Sequence, residues 1–189
     1  MGRHPLKRQV LTAISAALLS IGLAHGEGFT LTSPDVSGQL SARQEFSGFG
    51  CHGGNISPRL QWRNAPKHTK SFAVTVYDLD APTGSGWWHW VVFNIPANIH
   101  RLKRNAGDIA RNIAPRGSTQ SVTDYGKPGF GGACPPVDDK AHRYVFTVFA
   151  LKVAALKLHA DTPPAMVGYY LNQDALAKSS LIAYFARPK

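Results

Sequence analysis

Alternating apolar and polar side chains, interrupted by glycine and proline, predict six strands. Phe29–Thr32 and Arg59–Trp62 are short and alternate, as half-buried strands do. Ser71–Tyr77, Trp90–Ile95 and Arg143–Leu151 carry apolar residues at both parities, which predicts strands covered on both faces. Ser180–Ala186 predicts a final strand. One helix is predicted after Asp161-Thr162, where a capping residue precedes Pro163-Pro164. Met166, Tyr169 or Tyr170, and Gln173 follow at helical spacing, and the stretch to Lys178 has room for four turns. Strands outnumber helices, so the expected class is mainly β, a sandwich or barrel with one helix near the C-terminus.

The first 26 residues read as an address rather than as fold. Arg3, Lys7 and Arg8 form a basic start, Val10–Leu23 is an uncharged apolar run, and Ala24-His25-Gly26 offers small residues for a cut before Glu27. The run is too short to span a bilayer, and no later stretch is long enough to do so. The expectation is a signal peptide over 1–26, one domain over 27–189, and a periplasmic or secreted product.

The chain has 189 residues, which fits one domain, and its 43% hydrophobic content excludes a wholly disordered protein. The formal charge is +10, falling to +7 without the leader. That excess favours anionic partners. The tightest basic group, Arg101, Lys103 and Arg104 with Arg111 and Arg116 beyond, reads as a solvated loop, and no nucleic-acid partner is expected. In an oxidising compartment Cys51 and Cys134 are either one disulfide or two buried thiols, and the distance between their Cβ atoms decides which.

Four stretches carry candidate chemistry. Asp78-Leu79-Asp80-Ala81-Pro82 ends a buried strand and sets two carboxylates two residues apart, so they share a face if the strand continues and then need donors or a cation. In Gly86-Trp87-Trp88-His89-Trp90, alternation puts Trp87 and His89 on one face, with Trp88 and Trp90 on the other. Gly126–Pro136 holds four glycines and three prolines, a composition that fits an N–H nest for an anion or a plain surface loop. In Ala141-His142-Arg143-Tyr144, His142 and Tyr144 share a face, with Arg143 opposite. No nucleophile elbow, HExxH or zinc spacing occurs; an Asp/His metal site of Asp78, Asp80, His89 and His142 stays open on ligand type, although the spacing specifies none, and no cofactor is expected.

In the same order along the chain, Asp78-Leu79-Asp80-Ala81-Pro82, Trp87-Trp88-His89-Trp90, Cys134-Pro135-Pro136 and His142-Arg143-Tyr144 resemble the motifs of the phosphatidylethanolamine-binding protein family. Gly48-Phe49-Gly50-Cys51 and Asn55–Leu60 are similar to its bacterial Raf-kinase-inhibitor-like branch. Leu79 departs from a common proline, and Cys134 from a glycine frequent in eukaryotic members. The resemblance implies an antiparallel β-sandwich with a small pocket for an anion such as phosphate, or for a phosphorylated or zwitterionic head group. Asp78, His89 and His142 would form its polar heart, framed by Asp80, Ala81, Pro82, Pro135, Pro136 and Tyr144. It also implies a non-enzymatic protein that binds or inhibits a partner, a kinase or a protease. The alternatives are a phosphate-ester hydrolase using the same acids and imidazoles, and an interaction module with a vestigial pocket. A tight turn at the pocket makes Ala81-Pro82 a candidate for a cis bond.

Overall fold

The computed structural model describes residues 1–2 and 28–187; the expected leader, apart from its first two residues, lies outside them. In chain order the elements are β1 (Thr30–Thr32), β2 (Ser47–Gly48), β3 (Cys51–His52), β4 (Leu60–Arg63), β5 (Ser71–Asp78), β6 (Trp87–Pro96), β7 (Arg101–Leu102), β8 (Thr119–Gln120), β9 (His142–Leu151), α1 (Pro164–Asp174) and β10 (Ala175–Phe185). The main sheet runs β10-β9-β5-β6-β8, a smaller one runs β1-β4-β7, and β2 pairs with β3. All these pairings are antiparallel.

The doubly apolar strands sit where their pattern requires. Val74, Val76, Trp90, Val92, Phe146 and Val148 form one core with Leu31, Leu60, Trp62 and Leu102 of the smaller sheet. Ala73, Val91, Phe93, Phe149 and Leu151 form a second core with Val167 and Leu171 of α1 and with Leu156. The molecule is therefore a sandwich of two sheets with a helix on the outer face of the larger one. Each fully buried large apolar side chain contributes about 1.5–3 kcal/mol.

Several local expectations are corrected. α1 ends at Asp174 rather than Lys178, because from Ala175 the chain takes up a ladder with β9 that begins at Ala175–Leu151. Its N-cap is Pro163, with no side-chain cap; Thr162 instead accepts a hydrogen bond from the His159 N–H at 3.0 Å. β6 begins at Trp87, and it is bulged: Val76 pairs with Trp90 while Tyr77 pairs with Trp88, leaving His89 as the extra residue. The bulge breaks strict alternation. Trp88 packs on Tyr77 with ring centroids 4.6 Å apart, on the helix side. Trp90 lies in the core between the sheets. The Ala81-Pro82 bond is trans, since no described peptide bond is cis. Cys51 and Cys134 form a disulfide, with Cα atoms 6.0 Å apart.

Candidate functional site

Neighbouring strand ends bring the distant motifs together. Asp78, the last residue of β5, pairs with Trp87 of β6 on one side and with Tyr144 of β9 on the other. Around them opens a cavity of about 300 Å³, lined also by His89, His142, Ala81, Pro82, Pro135 and Pro136. Volume does not single it out, since a cleft of about 710 Å³ lies elsewhere. What marks it is the set of buried polar groups that converge on it.

Asp78 is 3% exposed. Its Oδ2 accepts from His142 Nδ1 at 2.7 Å, and its Oδ1 accepts from the Asp80 backbone N–H at 2.9 Å. His142 Nε2 donates to Asp139 Oδ2 at 3.2 Å. Burial alone would lower the His142 pKa, but the carboxylates of Asp78 and then Asp139 outweigh it and raise the pKa. With both ring nitrogens donating, His142 neutralises Asp78 rather than reaching a ligand.

His89, at the bulge, is different. Its Nδ1 donates to the Gly131 carbonyl at 2.8 Å and to the Gly132 carbonyl at 3.1 Å. Desolvation lowers its pKa, against weaker opposing pulls from the Gly131 carbonyl and the Asp78 charge. The neutral ring then carries its proton on Nδ1 and leaves Nε2 as an acceptor.

Three further polar groups of the lining are buried without a partner among the described residues: Trp87 Nε1, Tyr144 Oη and Arg187 Nε. Each carries a hydrogen to donate. Burial, and then the Asp78 charge, raise the Tyr144 pKa, so its hydroxyl keeps its proton at neutral pH. Arg187 is fixed by Nη1, which donates to the Gly50 carbonyl at 2.9 Å.

The glycine-rich loop is not an N–H nest. Its Gly131, Gly132 and Ala133 amides donate to the His89 carbonyl, Asn55 Oδ1 and the Gln44 carbonyl. It presents carbonyls to the imidazole instead. Glycine is required there by closeness: a Cβ at Gly131 would lie 2.2 Å from the Tyr125 ring, and one at Gly132 2.2 Å from the Gln44 carbonyl oxygen.

Asp80 is the one expected residue outside the lining. Its carboxylate accepts from Arg143 Nε at 2.8 Å, from Nη2 at 2.9 Å and from the Arg143 backbone N–H at 2.8 Å. Lys140 Nζ lies 3.3 Å away. Arg143, ahead of Lys140, holds the Asp80 carboxyl well below the usual carboxylate range. The strand stops at Asp78, so the two acids part, one inward and one to the rim.

The sequence reading missed Phe49, Thr83, Trp87, Tyr125 and Arg187 as lining residues, and Asp139 as a partner of His142. Asp139 had a signal, an acid three residues before a histidine. Arg187 had none, since it is brought here by the β9–β10 ladder, which reaches Phe185 opposite His142, and by its bridge to Val137. Among the described residues no group of three or more His, Cys, Asp or Glu is placed to hold a metal ion.

A two-sheet antiparallel sandwich, with an acid–imidazole cavity where three strands of its larger sheet end, defines the class of protein. Residues 36–186 match the phosphatidylethanolamine-binding protein family, and the chain belongs to it. It is 49% identical to the UPF0098 protein YbcL of Escherichia coli over 160 residues, covering 84% of this chain and 87% of that protein. It is 46% identical to the UPF0098 protein YbhB of the same organism over 148 residues, 78% of this chain and 92% of the other. The crystal structure of Escherichia coli YbcL, described as a new member of the mammalian PEBP family, superposes with a TM-score of 0.83 at 48% identity, covering 85% of this chain and 99% of that one.

Proposed function

We propose that this family member is an exported, non-enzymatic binding protein. Its cavity takes phosphate or a phosphorylated head group, and it modulates a partner protein. The observation that carries the ligand is the trio of buried, unpartnered donors, Trp87 Nε1, Tyr144 Oη and Arg187 Nε, beside the acceptor Nε2 of His89. A buried donor left unmade is costly, and an oxyanion satisfies all three at once. A monoprotonated phosphate would in addition give its P–OH hydrogen to His89 Nε2. Asp78, already neutralised by His142, is left facing the ammonium end of a zwitterionic head group.

The non-enzymatic reading is supported by what the lining offers. Cys134 is tied in the disulfide, Thr83 donates to the Gly86 carbonyl, and His142 is engaged at both nitrogens. Among the described residues the lining's free hydroxyl is then the Tyr144 phenol, which burial keeps protonated, and no free thiol or aliphatic hydroxyl is poised there beside a base. Export is supported by the leader pattern and by a disulfide that suits an oxidising compartment. The leading test is isothermal titration with phosphate and with phosphoethanolamine. Heat of binding is expected for both, and its absence for both would refute the ligand. Phosphatase assays with and without a chelator are expected to show no turnover.

A further inference from the structure

A second, unrelated cleft lies at the other end of the β5–β6 ladder. The Asp78 cavity is at the end where residues 79–86 join the two strands; this one is beside the open end, where Ser71 pairs with Pro96. It measures about 710 Å³ and shares no lining residue with the first. Trp62 and Arg63 of β4 line it, with His100, Arg101 and Lys103 around β7 and Ile113 on the loop beyond. A neighbouring cavity of about 450 Å³, which adds Arg59 and Arg104, shares Arg101 and Lys103 with it, so the two run on as one trough.

The trough follows from strand alternation. Leu60, Trp62 and Leu102 point into the core, so Arg59 just before β4, Gln61 and Arg63 within it, and Arg101 and Lys103 at β7, face outward. Arg101 and Lys103 then stand ~7 Å apart along the chain, and Arg59 and Arg63, with Gln61 between them, ~13 Å apart. Among the described residues, Asp35 pairs with Arg104, whereas the side chains of Arg59, Arg63, Arg101 and Lys103 make no ion pair or hydrogen bond. No acidic side chain lines either part. A concave surface of one sign focuses its field on a counter-charge.

From these features we infer that the trough is a binding site for an acidic glycan, a polysaccharide carrying carboxylate, sulfate or phosphate groups at regular intervals. The spaced, unpaired cations match a chain of repeated charges. Gln61 and Asn98 match its hydroxyls, and Ile113, 38% exposed at the edge, offers contact to a sugar ring. Single-stranded nucleic acid fits less well, because it needs exposed rings for base stacking, and the trough's tryptophan is buried. A bilayer fits less well, because peripheral binding inserts a protruding apolar face, and this surface is concave.

The test is titration of the purified protein with a heparin-derived octasaccharide. Saturable binding is expected that weakens steeply with salt. Replacing Arg63→Ser, Arg101→Ser and Lys103→Ser together should weaken binding at least about tenfold, since exposed charge contacts act through the summed field. Arg63→Lys with Arg101→Lys should keep most of it. His89→Ala, in the other cavity, should leave it unchanged, so phosphate binding there can fail without touching this result. The proposal is overturned if the octasaccharide does not bind or if the triple serine variant binds it equally. It is equally overturned if an oligothymidylate of the same charge, phosphatidylglycerol vesicles or neutral maltooctaose binds as tightly.

Discussion

His89 and His142 face one cavity and titrate in opposite senses. His142 is held protonated by Asp78 and Asp139, and His89 is held neutral by burial against the Gly131 and Gly132 carbonyls. In the unfolded chain both would titrate near about pH 6.5. The raised pKa of His142 means its stabilisation is fully present below that pH and is lost as pH rises through the folded value. The lowered pKa of His89 means the reverse: its stabilisation is present above about 6.5 and is lost as pH falls through the folded value. Urea unfolding between about pH 5 and 9 should therefore show His142→Ala flattening the alkaline limb and His89→Ala flattening the acid limb. An alkaline limb that keeps its slope in His142→Ala would refute the carboxylate clamp. The donors can be tested singly. Tyr144→Phe and Arg187→Gln each remove or weaken one donor to an anion, and such bonds contribute about 1.5–3 kcal/mol, so phosphate affinity should fall roughly ten- to hundredfold. Titration in which Tyr144→Phe binds as tightly as the parent would show that the hydroxyl does not meet the ligand.

At the scale of elements, two devices shape the cavity wall. The bulge in β6 lets Trp87, His89 and Trp90 all turn toward the inner side of the larger sheet while Trp88 goes to the helix side. A strict two-residue period does not foresee this, which is why Trp90 was assigned to the face of Trp88, although Trp87 and His89 do share a face. The second device is the disulfide. It ties the β2–β3 hairpin, with Phe49 at its tip, to the Cys134-Pro135-Pro136 wall. It also closes a loop of 83 residues. The chain-entropy estimate for that loop is about 4–5 kcal/mol, and such bridges commonly deliver about 2–4. A Cys51→Ala/Cys134→Ala variant should lose about that much in urea unfolding. It should also bind phosphate more weakly, because the hairpin carrying Gly50 would no longer be tethered to hold Arg187. Unchanged stability with reductant present would mean that the hairpin is held without the bridge, by the stacking of Phe46 and Phe49 on Tyr125 and the Phe46–Ala133 backbone hydrogen bond.

Across the whole molecule, what was legible in the sequence is what depends on local pattern. β5 and β9 were readable because apolar residues at both parities need cover on both faces, and both lie inside the main sheet, between the two cores. Asp78, His89, His142 and Tyr144 were readable because each sits at a strand edge beside a turn. Arg187 was not, since a lone arginine near a terminus carries no sign of the bridge that folds it back to Val137. Nor was the direction of the glycine loop, whose amides are satisfied by Asn55 and Gln44, residues some eighty positions away. The same geometry joins the cavity to global stability. Its walls come from β5, β6, β9, the hairpin and the C-terminal residues, so unfolding any of them destroys the site, and a ligand there stabilises the fold as a whole. At a phosphate concentration a hundred times its Kd, the unfolding free energy should rise by about 2.7 kcal/mol. For a domain of this size that raises Tm by about 5–10 °C. Arg187→Gln should reduce the shift in proportion to its lost affinity, and chloride at matched ionic strength should not reproduce it. A shift of the same size in chloride would mean that phosphate acts by screening the basic surface, and the cavity would then have no part in it.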